Sequence, residues 1–111
     1  MLDFNLAIRL NANDNRAYFN RGCVCGQNGD DFGAVRDFSQ VIRLNPSNAQ
    51  AYVNRGVARY RLGYHLEAMS DLQKASEYFE NQGKRVAYKK TLDLLKSLRE
   101  QISFATEIAL F

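Results

Sequence analysis

Most of the stretch from Tyr18 to Pro46 returns 34 residues later, and this recurrence limits what the chain can fold into more than any other feature. Tyr18 is answered by Tyr52, Asn20 by Asn54, Arg21 by Arg55 and Gly22 by Gly56. Gly29, Ala34 and Asp37 are answered by Gly63, Ala68 and Asp71. Upstream, Asp3-Phe4 matches Asp37-Phe38, and Ile8-Arg9-Leu10-Asn11 matches Ile42-Arg43-Leu44-Asn45. A fixed period over most of a chain marks a repeat array, in which each unit buries its apolar face on its neighbours rather than in one central core.

The apolar spacing is helical throughout. Residues 2–11 predict a helix with Phe4, Ala7, Ile8 and Leu10 as its apolar face and Leu2, Leu6 and Arg9 on another side. Asn13, Asp14 and Asn15 are turn and cap residues, and a helix over about 16–28 follows, with Tyr18, Gly22 and Cys25 in register. Gly29 stops it, because glycine tolerates positive φ past a helix end. Asp30 or Asp31 caps a helix over about 31–44, whose inward face is Ala34, Val35, Phe38, Val41 and Ile42. Pro46 ends that helix, and Ser47 or Asn48 caps the next. The pattern returns with Tyr52, Gly56 and Leu62, a stop at Gly63, then Ala68, Met69, Leu72 and Ala75, but with Glu80 where Pro46 stood. A last helix from about 84 shows Val86, Tyr88, Leu92, Leu95, Leu98 and Ile102 between basic residues.

Composition agrees with one small all-helical domain: 111 residues, 46% hydrophobic, one proline. The net charge of +3 falls short of a strongly basic nucleic-acid binder, but it is uneven. Arg55, Arg59 and Arg61 stand in a stretch without acids, and around Lys84, Arg85, Lys89, Lys90, Lys96 and Arg99 only Asp93 opposes them. No apolar run reaches the ~18 residues of a membrane span, and Met1-Leu2-Asp3 lacks the basic start of a signal peptide. Cys23 and Cys25, two apart on a helix, point to different faces, so free thiols and a reducing, cytoplasmic setting are expected.

With these residues in place the chain resembles a tetratricopeptide repeat protein of the bacterial type. The family pattern W-x-x-L-G-x-x-Y, then A-x-x-x-F, A and P, is similar to Tyr18-x-x-Arg21-Gly22-x-x-Cys25, Ala34-x-x-x-Phe38, Val41 and Pro46. The second copy is Tyr52-x-x-Arg55-Gly56-x-x-Arg59, Ala68-x-x-x-Leu72 and Ala75. The departures are arginine for the family leucine, Cys25 and Arg59 for the tyrosine, and Glu80 for the proline. The resemblance implies an all-α fold of antiparallel helix–turn–helix repeats wound into a right-handed superhelix. It divides the single domain into a half unit at 1–14, units at 15–48 and 49–82, and a closing helix and tail at 83–111.

The resemblance also implies a non-enzymatic scaffold whose concave groove takes a peptide or partner segment. The groove positions are then Arg16, Phe19, Asn20, Cys23 and Gln27 from the first full unit, and Gln50, Val53, Asn54, Val57, Tyr60 and Arg61 from the second. Asn20 and Asn54 stand where many members place an asparagine that bonds a peptide backbone. An amide donates and accepts at once, so it can hold an extended chain of any sequence; the alternative is that both belong to a repeated Asn-Arg-Gly signature that only aids solubility. The carboxylate clamp of members that bind chaperone C-termini is incomplete: Phe19 and Cys23 replace its first pair, and there is no complete third unit. Arg61, Arg85 and Lys89 remain to attract an acidic partner. A nucleic-acid-binding repeat using Arg55, Arg59, Arg61 and the 84–90 cluster is the alternative class, although such a cluster is more often the solvated face of a terminal helix.

Arg21 and Arg55 share the period of Asp3, Asp37 and Asp71, which predicts an ion-pair ladder: Arg21 with Asp3 or Asp37, Arg55 with Asp37 or Asp71. Gly22 is expected to face Ala34, and Gly56 to face Ala68, where two helices approach closely; Gly26 sits inside a helix at a cost of about 1 kcal/mol against alanine. His65 has no acid or thiol at a useful spacing, and the two cysteines lack partners for zinc, so no catalytic site, metal or cofactor is expected. Finally, Leu98, Ile102, Ala105 and Ala109 make one apolar stripe, and Phe104, Ile108 and Phe111 another. This predicts a last helix running from about 84 to beyond 104 whose end, over 98–111, is buried against a second copy, as in a self-assembling, dimerising module, or against another part of a longer chain. The alternative is that 104–111 is a frayed tail or a remnant of truncation.

Overall fold

The computed structural model describes residues 3–109, with side chains as far as Phe104. Among the described residues are six helices and no strand: α1 Phe4–Leu10, α2 Asn15–Gln27, α3 Asp31–Leu44, α4 Ala49–Arg61, α5 His65–Asn81 and α6 Arg85–Ala109. Met1 lies outside the described residues, as does Leu2, which the apolar spacing places in the first helix.

Short polar side chains set the helix starts. The carboxylates of Asp3, Asp14 and Asp30 accept from the backbone N–H of Leu6, Ala17 and Gly33, and the Asn48 side chain accepts from Ala51 N–H at 3.0 Å. Each satisfies one of the orphan amides of a first turn. Of the paired expectations, Asp30 caps rather than Asp31, and Asn48 rather than Ser47. Helix α5 is the exception: Tyr64 stands at its cap without a side-chain bond. The stops at Gly29 and Gly63 have φ of +81° and +88°, and the next N–H reaches back to close the last turn, Asp30 N–H to Cys25 C=O at 2.8 Å and Tyr64 N–H to Arg59 C=O at 2.8 Å. With Glu80 in place of proline, α5 continues to Asn81, whereas α3 stops at Leu44 ahead of Pro46.

Helices adjacent in sequence pack on one another, α2 on α3, α3 on α4, α4 on α5 and α5 on α6. The resulting body is elongated, 54 × 32 × 21 Å. Its interior has three clusters rather than one: Ala34, Phe38, Val41, Ala51 and Ala58; Ala49, Tyr52, Ala75 and Phe79; and Leu72, Leu95 and Leu98. Some expectations need correction. A Cβ on Gly22 would lie 3.1 Å from Cζ of Phe38 and 3.2 Å from Cβ of Asp37, so Gly22 meets α3 one turn beyond Ala34, and it is Gly26 that faces Ala34. Gly56 faces Ala68 as expected, with a Cβ there only 3.1 Å from the Ala68 carbonyl oxygen. Leu10, expected on the apolar face of α1, is instead 79% exposed. In α6 the buried face is Thr91, Leu95 and Leu98; Val86, 70% exposed, and Leu92 point away, since α5 covers only one side of that helix.

The predicted ladder forms, with one choice resolved at each rung. Arg21 donates from Nε and Nη2 to the two carboxylate oxygens of Asp37, at 2.8 and 2.7 Å, and Arg55 does the same to Asp71, at 3.0 and 2.8 Å. The remaining nitrogen reaches the previous odd-numbered helix: Arg21 Nη1 to Asn5 Oδ1 on α1, and Arg55 Nη1 to Ser39 Oγ on α3. Asn5 and Ser39 are themselves 34 residues apart. Each guanidinium also lies against the tyrosine one turn earlier, 5.7 Å from the Tyr18 ring centre and 5.5 Å from that of Tyr52. Among the described residues Asp3 takes no part in the ladder; it caps α1. A second arginine completes each acid: Arg36 for Asp37 and Arg59 for Asp71.

Burial of Asp37 would raise its pKa, but hydrogen bonds from Arg21 and Arg36 outweigh that and hold the carboxyl below its usual value, while the bond to Asp37 raises Arg21. A depressed carboxylate contributes stability that is complete above its unfolded pKa, about 3.9, and is lost as pH falls through the folded value. Asp37→Asn is expected to cost about 3 kcal/mol near neutral pH, leaving a part-buried guanidinium unpaired. The difference in melting temperature between the protein and this variant should hold steady above about pH 4 and narrow below it; a difference constant to about pH 2 would contradict the assignment. In the same melts, Gly26→Ala should stabilise by about 0.5–1 kcal/mol, since its Cβ meets only Ala34 at an ordinary 3.9 Å. Gly56→Ala should destabilise by about 1–3 kcal/mol, because the new methyl presses on backbone. Equal effects of the two substitutions would overturn this packing assignment.

Candidate partner-binding face

The even-numbered helices α2, α4 and α6 contribute most of the residues lining three hollows. The first lies between the starts of α2 and α4 and is lined by Arg16, Phe19, Asn20 and Gln50, with Asn15 and Asn48. The second, about 510 Å³, lies between the later turns of the same helices, where Cys23, Gln27, Asn54, Val57 and Arg61 surround Gly22 and Gly26. The third, about 650 Å³, is a cleft between α4 and α6, where Gln50 and Val53 face Lys84, Arg85, Lys90 and Leu94 over Phe79. Ten of the eleven residues expected from the sequence therefore line these hollows.

Their states differ. Asn20 is exposed. Asn54 is half-buried; its carbonyl oxygen accepts from Gln50 Nε2 at 2.9 Å, and its amide lies 4.0 Å from Cys23 Sγ. The 34-residue equivalence thus places one free amide and one tethered amide along the same face. Phe19 is half-buried with its ring edge-on to Phe38, centroids 5.5 Å apart. Burial pushes the Cys23 and Cys25 thiols above their usual pKa, which keeps both as poorly reactive thiols. Arg61 stands 3.7 Å from Asp31, whose Oδ1 is buried and accepts no hydrogen bond among the described residues.

Tyr60 lines none of these hollows. Its hydroxyl donates to Gln101 Oε1, and its ring stacks on His65 with centroids 4.8 Å apart, so it ties α4 to α6. Arg55 and Arg59, on which a nucleic-acid reading leaned, are both bonded to Asp71. Of the end expected to meet a second copy, Leu98 is buried within the chain and Phe104 is 64% exposed; the side chains of Ala105, Ile108, Ala109 and Phe111 lie outside the described residues. The α4–α6 cleft was not visible as a unit in the sequence. Its signal was the basic cluster at 84–90, but its floor joins Val53 to Phe79 and Leu94, residues from three helices with no shared motif.

No described helix is long and apolar enough to cross a membrane, and no group of three or more His, Cys, Asp or Glu side chains is placed to hold a metal among the described residues. The TPR repeat model matches residues 26–63, and the tetratricopeptide repeat model matches residues 49–82. The sequence matches no curated protein. Among solved structures, the type III secretion translocator chaperone SycD of Yersinia enterocolitica aligns with a TM-score of 0.85 at 17% identity, over 90% of this chain and 70% of its own. The first TPR of Spaghetti (RPAP3), bound to the HSP90 peptide SRMEEVD, gives 0.79 at 20% identity over 90% and 75%. The TPR2B domain of yeast Sti1, in a complex with pHsp70, gives 0.80 at 18% identity over 88% and 78%. At such identities the likeness is one of fold, and together with the two sequence matches and the all-helical hairpin architecture it shows that the chain belongs to the tetratricopeptide repeat family.

Proposed function

We propose that this chain is a non-enzymatic scaffold that holds a peptide or an extended segment of a partner protein along the face made by α2, α4 and α6. In this reading the chain is one half unit, two full units and a closing helix, at 1–14, 15–48, 49–82 and 83–111, and the sequence-defined groove from Arg16 to Arg61 is the floor. The observation that carries it is the pair Asn20 and Asn54 opening onto hollows between the same two helices. Asn20 presents an amide free to bond a passing backbone. Asn54 can exchange its Gln50 and Cys23 contacts for a ligand's, so its amide is preset in orientation without being locked. Two proteins of the same fold, the RPAP3 and Sti1 domains, are seen with HSP90 and Hsp70 material, which supports a polypeptide as the cargo.

The nucleic-acid alternative loses weight because two of its arginines are held by a buried acid. The test is affinity capture with the intact chain and with Asn20→Ala/Asn54→Ala, read by mass spectrometry, with circular dichroism confirming that both are folded. Partners captured by the parent should be lost or strongly depleted with the double variant. If every partner survives, the groove assignment is wrong.

A further inference from the structure

Charge is not spread evenly along the α2–α4–α6 face. In the hollow between the later turns of α2 and α4 the one arginine, Arg61, is offset by Asp31, and the hollow between their starts holds a single cation, Arg16. The α4–α6 cleft is different. Lys84, Arg85 and Lys90 stand on its rim, no acidic side chain lines it, and none of the three is in an ion pair among the described residues. Its floor is apolar, made chiefly by Val53, Phe79 and Leu94. A cavity of about 650 Å³ is in the range that takes a bulky side chain together with flanking backbone.

We infer that the α4–α6 cleft takes an internal acidic segment of a partner protein, with one large apolar side chain on Val53, Phe79 and Leu94 and flanking carboxylates against Lys84, Arg85 and Lys90. The inference rests on the reading that this face holds a polypeptide, and names the chemistry of what it holds. Three cations left unpaired beside an apolar surface repel one another and favour an occupant of opposite sign. From Lys84 to Lys90 the helix advances by roughly 9 Å, so the cations suit carboxylates spaced along a segment better than one terminal carboxylate. A nucleic acid fits less well. The cleft's one aromatic, Phe79, is only 5% exposed, which leaves no ring face for a base to stack on.

The test uses the full chain and a fluorescent twelve-residue peptide, acetylated and amidated, with a central leucine flanked by glutamates, followed by anisotropy. Binding should weaken at least about tenfold with Lys84→Glu/Lys90→Glu, an exposed pair whose replacement leaves the helices intact. It should weaken by about as much when the peptide's glutamates become glutamines or its leucine alanine, and it should fall with added salt. A free C-terminal carboxylate on the peptide should leave affinity within about twofold. Absence of binding, equal binding by the lysine variant, or tighter binding of a single-stranded RNA of the same length overturns the inference. Loss of the peptide with Asn20→Ala/Asn54→Ala but not with the lysine variant would sink the cleft while leaving the broader groove reading intact. Loss with the lysine variant alone, with every captured partner surviving the asparagine substitutions, would uphold the cleft and sink the α2–α4 groove.

Discussion

One guanidinium holds three helices together, twice over. Arg55 grips both oxygens of Asp71 on α5, reaches Ser39 on α3 and lies against Tyr52 on its own helix. Arg21 does the same with Asp37, Asn5 and Tyr18. The family places a leucine at this position, which would supply apolar contact without direction. The arginine instead supplies a two-pronged bond that fixes the register of one helix on its partner and, through the third nitrogen, on the preceding hairpin. The acids are almost wholly buried, so the arrangement is tolerable only when fully paired. Both acids accordingly receive a second arginine. On Asp71 it comes from Arg59 of the facing helix; where that helix carries Cys25 instead, it comes from Arg36, next to Asp37 on the same helix. Two different solutions at equivalent places indicate that a second positive charge is needed there.

This network also sorts the surface. Arg21, Arg36, Arg55 and Arg59 are all spent on structure, so net positive charge is a poor guide to where a partner binds. Three cations outside this network, Lys84, Arg85 and Lys90, come together in the α4–α6 cleft, while Arg16 and Arg61 line the hollows between α2 and α4. The glycines serve the same end. Gly22 and Gly56 let α2 and α4 lie close on their partner helices, which brings the arginines within reach of the aspartates one turn along.

Much of the fold was legible in the sequence because a period carries two kinds of information at once, apolar spacing and matched charge. The 34-residue step located the helices, their glycine stops and both rungs of the ladder. It could not choose between Asp3 and Asp37 for Arg21, because periodicity cannot say whether an acid faces inward or caps its own helix, as Asp3 does. It placed Gly22 opposite Ala34, when the actual contact is one turn further on, at Phe38; that offset depends on how two helices settle on one ring. Helix α6 was the hardest to read, since it has one covered side and no repeat partner, and its exposed Val86 and Leu92 look like core in a sequence. Among the site residues, the groove positions followed from the repeat frame, whereas the role of Tyr60 as a tie to Gln101 spans 41 residues and has no local signature.

The arginine–aspartate pair, and not apolar packing alone, sets the hairpin. A double-mutant cycle on Arg55 and Asp71 measures this directly: the parent, Arg55→Met, Asp71→Asn and the double variant, each unfolded in denaturant at neutral pH. Either single substitution should destabilise by about 3 kcal/mol, the double should cost far less than the sum, and the coupling should be about 2–3 kcal/mol. A coupling below about 0.5 kcal/mol, with the single losses adding, would show that the pair is incidental and that packing alone holds the helices.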